Sequence, residues 1–437
     1  MKIYGFKGGV HPPEKKELSK DIPITKIPLP EKLIVLTVQH TGASVTPLVK
    51  PKDYVFKGQK IGDAQAFVTA PIHAPTSGTV KRIALYPHPN GRNVLGIEIE
   101  PDGKEEIFPD ISKDSSWQNL SPEDIRKRIR EAGIVGLGGA AFPTHVKISP
   151  PPEKKIDTII LNGAECEPYL TIDYRLMLEK PQLIVEGLRI LMYVLGVKKG
   201  IIGIENNKKD AVEVLRKYID SDIEIAILPT KYPQGSEKHL IKAILDREVP
   251  SGGLPLDVGV VVNNVGTAVA IAEHFKTGLP LISRGVTVTG ENVNSPKNLD
   301  VLIGTPVSKL IEAAGGFREK PGKIIFGGPM MGIAIYDMDT PVIKGTSGVV
   351  VFSEKDAKYY EPVECVRCGK CVDVCPMGLM PTILAKYVRK DKLIEAEELG
   401  ILDCIECGSC NYICPSRRPL LQWIRVGKTD ILAKRRK

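Results

Sequence analysis

The chain has 437 residues, enough for two to four domains. Hydrophobic residues at 42% and charged residues at 26% exclude wholesale disorder. The net charge of +8 is spread along the chain, which argues against the gathered basic stripe of a nucleic-acid binder. The dense basic run Lys434-Arg435-Arg436-Lys437 reads as a solvated end, or as a contact for an anionic membrane surface or an acidic partner. No apolar stretch approaches the ~20 residues that span a bilayer. The best candidate, Leu183 to Val197, contains Glu186 and Arg189 and reads as an amphipathic helix. The start, MKIYGFKGGVHPPEKK, lacks the apolar core of a signal peptide. A cytoplasmic chain with at most peripheral membrane contact is expected. Eight of nine Cys fall between 365 and 414, and Cys166 stands alone. Without an export signal, such clustering reads as metal binding before disulfides.

Residues 1–112 are rich in Pro and Gly, with short β runs at Leu33 to Val38 and Gly78 to Leu85. Turn signals lie at Lys57-Gly58-Gln59, Pro75-Thr76-Ser77-Gly78 and Pro89-Asn90-Gly91, so this is an all-β module. Val55 to Gly62 and Ala74 to Val80 resemble the two halves of biotinyl and lipoyl domains. Those domains carry an acceptor Lys between the halves, but Asp63 to His73 contains none. The module is therefore expected to dock or pack, not to carry a swinging arm.

Residues 113–284 alternate between helices and strands. Ser121-Pro122-Glu123-Asp124 starts a helix that ends near Gly133, with Ser as cap, Pro in the first turn and acids beside it. Strands are predicted at Asp157 to Leu161, Gly200 to Ile204, Ile223 to Leu228 and Val258 to Asn263. Helices are predicted at Leu176 to Leu195 and Lys209 to Ile219. Alternation of this kind gives a mostly parallel sheet covered by helices.

Three segments of this α/β domain stand out as ligand-binding candidates. One is the loop Gly136-Leu137-Gly138-Gly139-Ala140-Ala141-Phe142-Pro143-Thr144, with Lys147 just beyond. It follows a helix, so it is not a Rossmann fingerprint, but successive N–H groups can form an anion nest with a Lys nearby for a phosphate. Asn162 to Pro168 and Asn263 to Thr267 each end a strand, where α/β sheets bind ligands. Cys166 and His145 read as packing residues, and Met330-Met331 as core filling.

Residues 285–355 return to short strands, at Gly285 to Thr289, Lys323 to Phe326 and Gly348 to Phe352, around a helix at Pro306 to Ala314. This is a small α+β domain.

Residues 356–425 hold the cysteines. The runs are Cys365-x2-Cys368-x2-Cys371-x3-Cys375-Pro376 and Cys404-x2-Cys407-x2-Cys410-x3-Cys414-Pro415. Both match the bacterial two-cluster ferredoxin spacing. Three thiolates two residues apart can each bind a different iron of one cubane, and the fourth comes from the other run. One [4Fe–4S] cluster is therefore assigned Cys365, Cys368, Cys371 and Cys414, and the other Cys404, Cys407, Cys410 and Cys375. Zinc sites need one set of four ligands in pairs, a poorer match. Gly369 and Gly408 leave room around the sulfides.

With these residues in view, Gly136 to Lys147, Asn162 to Pro168 and Asn263 to Thr267 resemble the flavin-binding motifs of the NADH-oxidising subunit of respiratory complex I. Nearly the whole chain is similar to the RnfC family, which serves the Rnf ion-translocating electron-transport complexes. The similarity takes in Tyr232 to Lys238, Arg247 to Pro255 and both cysteine runs. Gly327-Gly328-Pro329-Met330-Met331-Gly332 resembles the β-grasp ligand-binding domain of both families.

The resemblance implies non-covalent FMN lined by Gly136, Gly138, Gly139, Lys147, Asn162, Asn263 and Asn264. It places Glu165 and Glu167 near the flavin ring and the nicotinamide, and Glu237 where NADH seats. It further implies electron exchange between NAD(H) and ferredoxin, integral membrane and iron–sulfur partner subunits, and a peripheral position on the cytoplasmic face of the cell membrane. Leu137, Ala164, Ser236 and Gly266 depart from the complex I motifs. Hydride transfer needs no side-chain acid or base, so no catalytic residue is named. Two other readings are a cluster-bearing relay without nucleotide and a soluble flavin and iron–sulfur reductase of the cobalamin type.

Overall fold

A computed structural model describes residues 3–111 and 116–435. The first compact unit is a barrel-like pair of sheets. Leu33–Leu36, Asn93–Pro101, Gly78–Pro87 and Tyr54–Val55 form one, and Thr46–Pro47, Lys60–Asp63 and Ile72–His73 the other. The strands are antiparallel, and alternate side chains of Val35, Val55, Ile61, Ile72, Val80, Ile97 and Ile99 fill the space between them. The expected boundary at residues 112 and 113 lies outside the described residues.

In the second unit four strands lie parallel in the order Ile223–Leu228, Gly200–Glu205, Thr158–Gly163, Val260–Asn264. Their C-terminal ends share one edge, so Asn162 lies opposite Asn264 in register. The helix Pro122–Glu131 begins as the sequence indicates, the Ser121 hydroxyl accepting from Asp124 N. The predicted helix from Leu176 to Leu195 is instead two, Ile172–Glu179 and Pro181–Leu195. Pro181 has no N–H to continue a helix, and it forces Lys180 to φ −129°, ψ 40°. The second of these helices packs so closely on Val265–Thr277 that a Cβ on Gly187 would lie 2.1 Å from Ala268 O.

The third unit is a six-stranded sheet in the order Ile24–Lys26, Lys297–Leu302, Ser283–Thr289, Gly348–Ser353, Pro321–Phe326, Ile333–Ile335. Helix Val307–Ala313 covers it through Val307, Leu310 and Ile311. Its first strand comes from ahead of the barrel and pairs in parallel with Lys297–Leu302, Ile24 opposite Asn298. The residues before Leu33 thus leave the barrel and run across the other units.

In the last unit short helices Lys370–Asp373 and Ser409–Tyr412 follow Gly369 and Gly408, which sit at φ 77° and 78°. The two halves repeat one loop geometry. Helices Pro381–Arg389, Leu393–Glu398 and Leu420–Arg435 bury Leu384, Ala396, Ile401, Ile424 and Ile431 together. Among the described residues no helix is long and apolar enough to cross a membrane. Of the basic end, Arg435 pairs with Glu397, while Arg436 and Lys437 lie outside the described residues.

Candidate functional site

The cysteine runs interleave. Cys375, Cys404, Cys407 and Cys410 line one space, closed by Ile405, Leu421 and Ile424. Cys375 comes from the first run, as crossed ligation requires. Burial pushes the Cys410 thiol up to about 12, and neighbouring Cys404, Cys407 and Cys375 add to the shift. In the other group burial raises Cys371, and the thiols of Cys414 and Cys365 raise it further. Cys407 and Cys410 are buried, whereas Cys365 and Cys368 are exposed. Among the described residues no three His, Cys, Asp or Glu side chains converge on a single-ion site. The second loop is tethered to the last helix. Glu406 accepts from Arg425 (2.9 Å) and Lys428 (2.8 Å), and Lys428 also donates to Cys404 O.

The three α/β segments meet at the strand ends. The Gly loop closes on itself through Gly136 N to Phe142 O (2.8 Å) and is tied to the first turn of helix Val265–Thr277 by Leu137 N to Thr267 Oγ1 (2.9 Å). Gly138 rests on Asn264, where a Cβ would stand 3.1 Å from the Asn264 Cβ. Gly139 has φ +134° and open space beside it. Asn264 caps the helix Val265–Thr277 through Gly266 N and donates to Asp173 Oδ2 at 2.7 Å. Asn162 donates to Gly235 O and accepts from Ala164 N. Asn263 is 3% exposed, and its Nδ2 has no partner. Lys147 and Glu237 form an ion pair that joins the Gly-loop helix Thr144–Lys147 to the start of Glu237–Leu245.

The two glutamates of the middle segment face protein. Glu165 accepts from Asp173 N (2.7 Å) at the start of Ile172–Glu179. Glu167 accepts from Met330 N (3.0 Å) and Met331 N (2.8 Å) in the third unit. Met330-Met331 is therefore not simply core filling, and Met331 is 45% exposed. His145 is a packing residue, buried with Nε2 on Phe67 O. Cys166 is half-buried, its sulfur accepting from Gly235 N, and burial raises its thiol.

Comparison with known proteins agrees with this geometry unit by unit. Residues 4–104 match the RnfC barrel sandwich hybrid domain, 129–273 the Nuo51 FMN-binding domain, 286–334 the SLBB domain and 357–415 the 4Fe-4S dicluster domain. The chain is 49% identical to the RnfC-type component of the Na(+)-translocating ferredoxin:NAD(+) oxidoreductase complex of Acetobacterium woodii, covering 99% of this chain and 98% of that protein. It is equally 49% identical to the corresponding component of the proton-translocating ferredoxin:NAD(+) oxidoreductase complex of Clostridium ljungdahlii, over 98% of this chain and 94% of that one. The chain belongs to the RnfC family of ion-translocating ferredoxin:NAD(+) oxidoreductases. The corresponding component of the ion-translocating oxidoreductase complex of Rhodobacter capsulatus is 42% identical, over 98% of this chain and 83% of that protein. A chain of an NAD+-reducing [NiFe]-hydrogenase shares the fold, with a TM-score of 0.51 at 19% identity over 75% of this chain and 69% of that one.

In this RnfC family member the FMN-binding and dicluster domains have residues suited to their groups. Asn263 offers a buried unpaired donor and Gly139 an open cradle, while Cys375 stands with Cys404, Cys407 and Cys410, and Cys414 near Cys371. Sequence reasoning missed the buried charges behind the site. Burial raises Asp173, and Glu165 close by raises it further. Arg284, lowered by burial to about 10, reaches across from the third unit to Leu137 O (3.2 Å). Lys344, lowered by burial to about 7, donates to Pro71 O (2.7 Å) and Gly133 O (2.6 Å). Leu137, Pro71 and Gly133 lie in other units, far from Arg284 and Lys344 along the chain, so no local pattern marks these contacts.

Proposed function

We propose that the chain is the peripheral electron-input subunit of a membrane-bound complex that couples electron transfer between NAD(H) and ferredoxin to ion translocation. The carrying observation is the contact between flavin-type segments and the buried cysteine set. The Tyr232 hydroxyl donates to Cys407 O (2.7 Å), and Met330, bound to Glu167, packs its carbonyl on Gly408.

Gly136, Gly138, Gly139, Lys147, Asn162, Asn263 and Asn264 would line FMN. Lys147 would exchange the Glu237 carboxylate for the phosphate, which frees Glu237 for NADH. Bound flavin takes two electrons as a hydride and releases them singly, which suits one-electron clusters. The chain's own residues do the rest. Glu165 and Glu167 tie the strand-end loop to the backbone of Asp173 and Met330, Arg284 holds the Gly loop at Leu137 O, and Lys344 holds the turn before it at Gly133 O. Cys375, Cys404, Cys407 and Cys410 would hold the inner [4Fe–4S] cluster, and Cys365, Cys368, Cys371 and Cys414 the outer one.

The thiols of Cys365 and Cys368 are exposed, and so are Tyr359, Tyr360, Val363 and Val366 of the same segment. A partner iron–sulfur or membrane protein of the complex, on the cytoplasmic face, would cover them. Protein reconstituted anaerobically with iron, sulfide and FMN should retain flavin and reduce ferricyanide with NADH. Absence of both flavin retention and activity would leave only a relay without nucleotide.

A further inference from the structure

Among the described residues, the segment ahead of the barrel has only the turn Lys16–Leu18 and the strand Ile24–Lys26 as regular structure. It nevertheless touches three units in succession. Gly8 lies on the first cysteine run, where a Cβ would stand 2.8 Å from the Cys375 backbone C and O, and its φ is +69°. Gly9 N donates to Val374 O at 2.8 Å. Val10 and Tyr232 exchange both backbone hydrogen bonds, at 2.8 and 2.9 Å. Lys16 is 8% exposed, and its ammonium donates to the carbonyls of Glu165 (2.9 Å), Glu167 (3.0 Å) and Leu170 (2.5 Å). Ser19 Oγ then meets Thr171 Oγ1 at 2.8 Å. One short stretch of chain therefore grips the inner cysteine loop at Gly8 and the strand-end flavin loop at Lys16.

We infer that this strap sets the electron hand-over between the flavin segments and the inner cluster set of Cys375, Cys404, Cys407 and Cys410, with Gly8 and Lys16 as positioning residues. The inference rests on the function proposed above. In each hand-over one electron leaves reduced flavin, which is oxidised by one equivalent, and the inner cluster is reduced by one. NADH supplies the hydride that reduces the flavin, and no proton or group crosses the strap. Tunnelling falls steeply with distance, so loosening either grip slows this step, and loosening the Gly8 grip, which touches only the cysteine loop, leaves hydride transfer alone.

The test compares Gly8→Ala with Gly5→Ala in the full reconstituted chain. Gly5 shares the unfavourable backbone, at φ +73°, but has nothing within 4 Å of its Cβ position. Hydrogen exchange is measured on both variants, and stopped-flow absorbance with rapid-freeze EPR follows mixing with NADH. Gly8→Ala should speed exchange at residues 372–378 and slow cluster reduction at least about 10-fold while flavin bleaching keeps its rate. Gly5→Ala should match wild type in both. Lys16→Met should likewise slow cluster reduction, with faster exchange at 164–170. Unchanged exchange in Gly8→Ala, or loosened exchange with cluster reduction at the wild-type rate, overturns the inference. A wild-type protein that retains no flavin defeats the proposed function instead, and exchange at the two loops then decides whether the strap holds them.

Discussion

Glu167 accepts the backbone N–H groups of both Met330 and Met331, so one carboxylate of the flavin-binding unit clamps the loop that touches Gly408 of the cluster unit. Burial raises this carboxyl to about 7, against the pull of the two amides and Lys16. Unfolded, it titrates near the ordinary glutamate value. Between those values the fold holds more protons than the unfolded chain, so this contribution is complete at low pH and is lost as pH rises through about 7. The shift corresponds to at most about 3 kcal/mol. Glu167→Gln cannot ionise, so its thermal midpoint should fall less between pH 5.5 and 8 than that of wild type. Parallel pH slopes for the two proteins would refute the assignment.

Crossed ligation makes a sharp prediction about iron. Cys375→Ala removes a thiol of the buried set although it lies in the first run, and Cys414→Ala removes one of the exposed set although it lies in the second. Each variant should lose about half of roughly eight irons per chain. The cluster surviving in Cys375→Ala should be the solvent-accessible one, with its EPR signal broadened by an aqueous paramagnetic relaxant. The survivor in Cys414→Ala should resist that relaxant. The opposite pairing of variant with accessibility would show that each run binds its own cluster.

The Lys147–Glu237 pair separates phosphate from nicotinamide binding. Removing a charge-assisted phosphate contact costs about 1.5–3 kcal/mol, so Lys147→Met should weaken FMN roughly 10- to 100-fold in a fluorescence titration. Glu237→Gln removes the competitor for Lys147 and should leave FMN affinity equal or tighter while raising KM for NADH. Equal FMN affinity for wild type and Lys147→Met would remove Lys147 from the site.

What the sequence discloses here follows from how locally each feature is encoded. The two cysteine runs are legible because four ligand positions lie within eleven residues and their spacing is the chemistry. The parallel strands Gly200–Glu205 and Ile223–Leu228 are legible as apolar runs between helical patterns. The strap is not, because Gly9, Val10 and Lys16 satisfy their backbone and ammonium groups on Val374, Tyr232 and Glu165, in other units, and an extended segment has no periodicity of its own. Ile24–Lys26 likewise joins a sheet whose other strands begin at Ser283. The functions of Glu165 and Glu167 in holding backbone also escape the motif, which shows two acids but not where their oxygens point.

Asn263 gives the most discriminating test of the flavin site. It sits in the strand Val260–Asn264 with 3% exposure and an Nδ2 lacking any partner, while neighbouring Asn264 has both side-chain atoms engaged. A buried unpaired donor costs about 1–3 kcal/mol, and folding alone gains nothing from it. Asn263→Ala relieves that cost but leaves a small void, so the flavin-free protein should unfold at the same temperature as wild type or higher. The same variant should bind FMN more weakly, and added FMN should raise its midpoint less than it raises that of wild type. A structural Asn would behave in the opposite way, with Asn263→Ala lowering the flavin-free midpoint and leaving the FMN-induced rise intact. Measuring the four midpoints, each protein with and without flavin, decides between them.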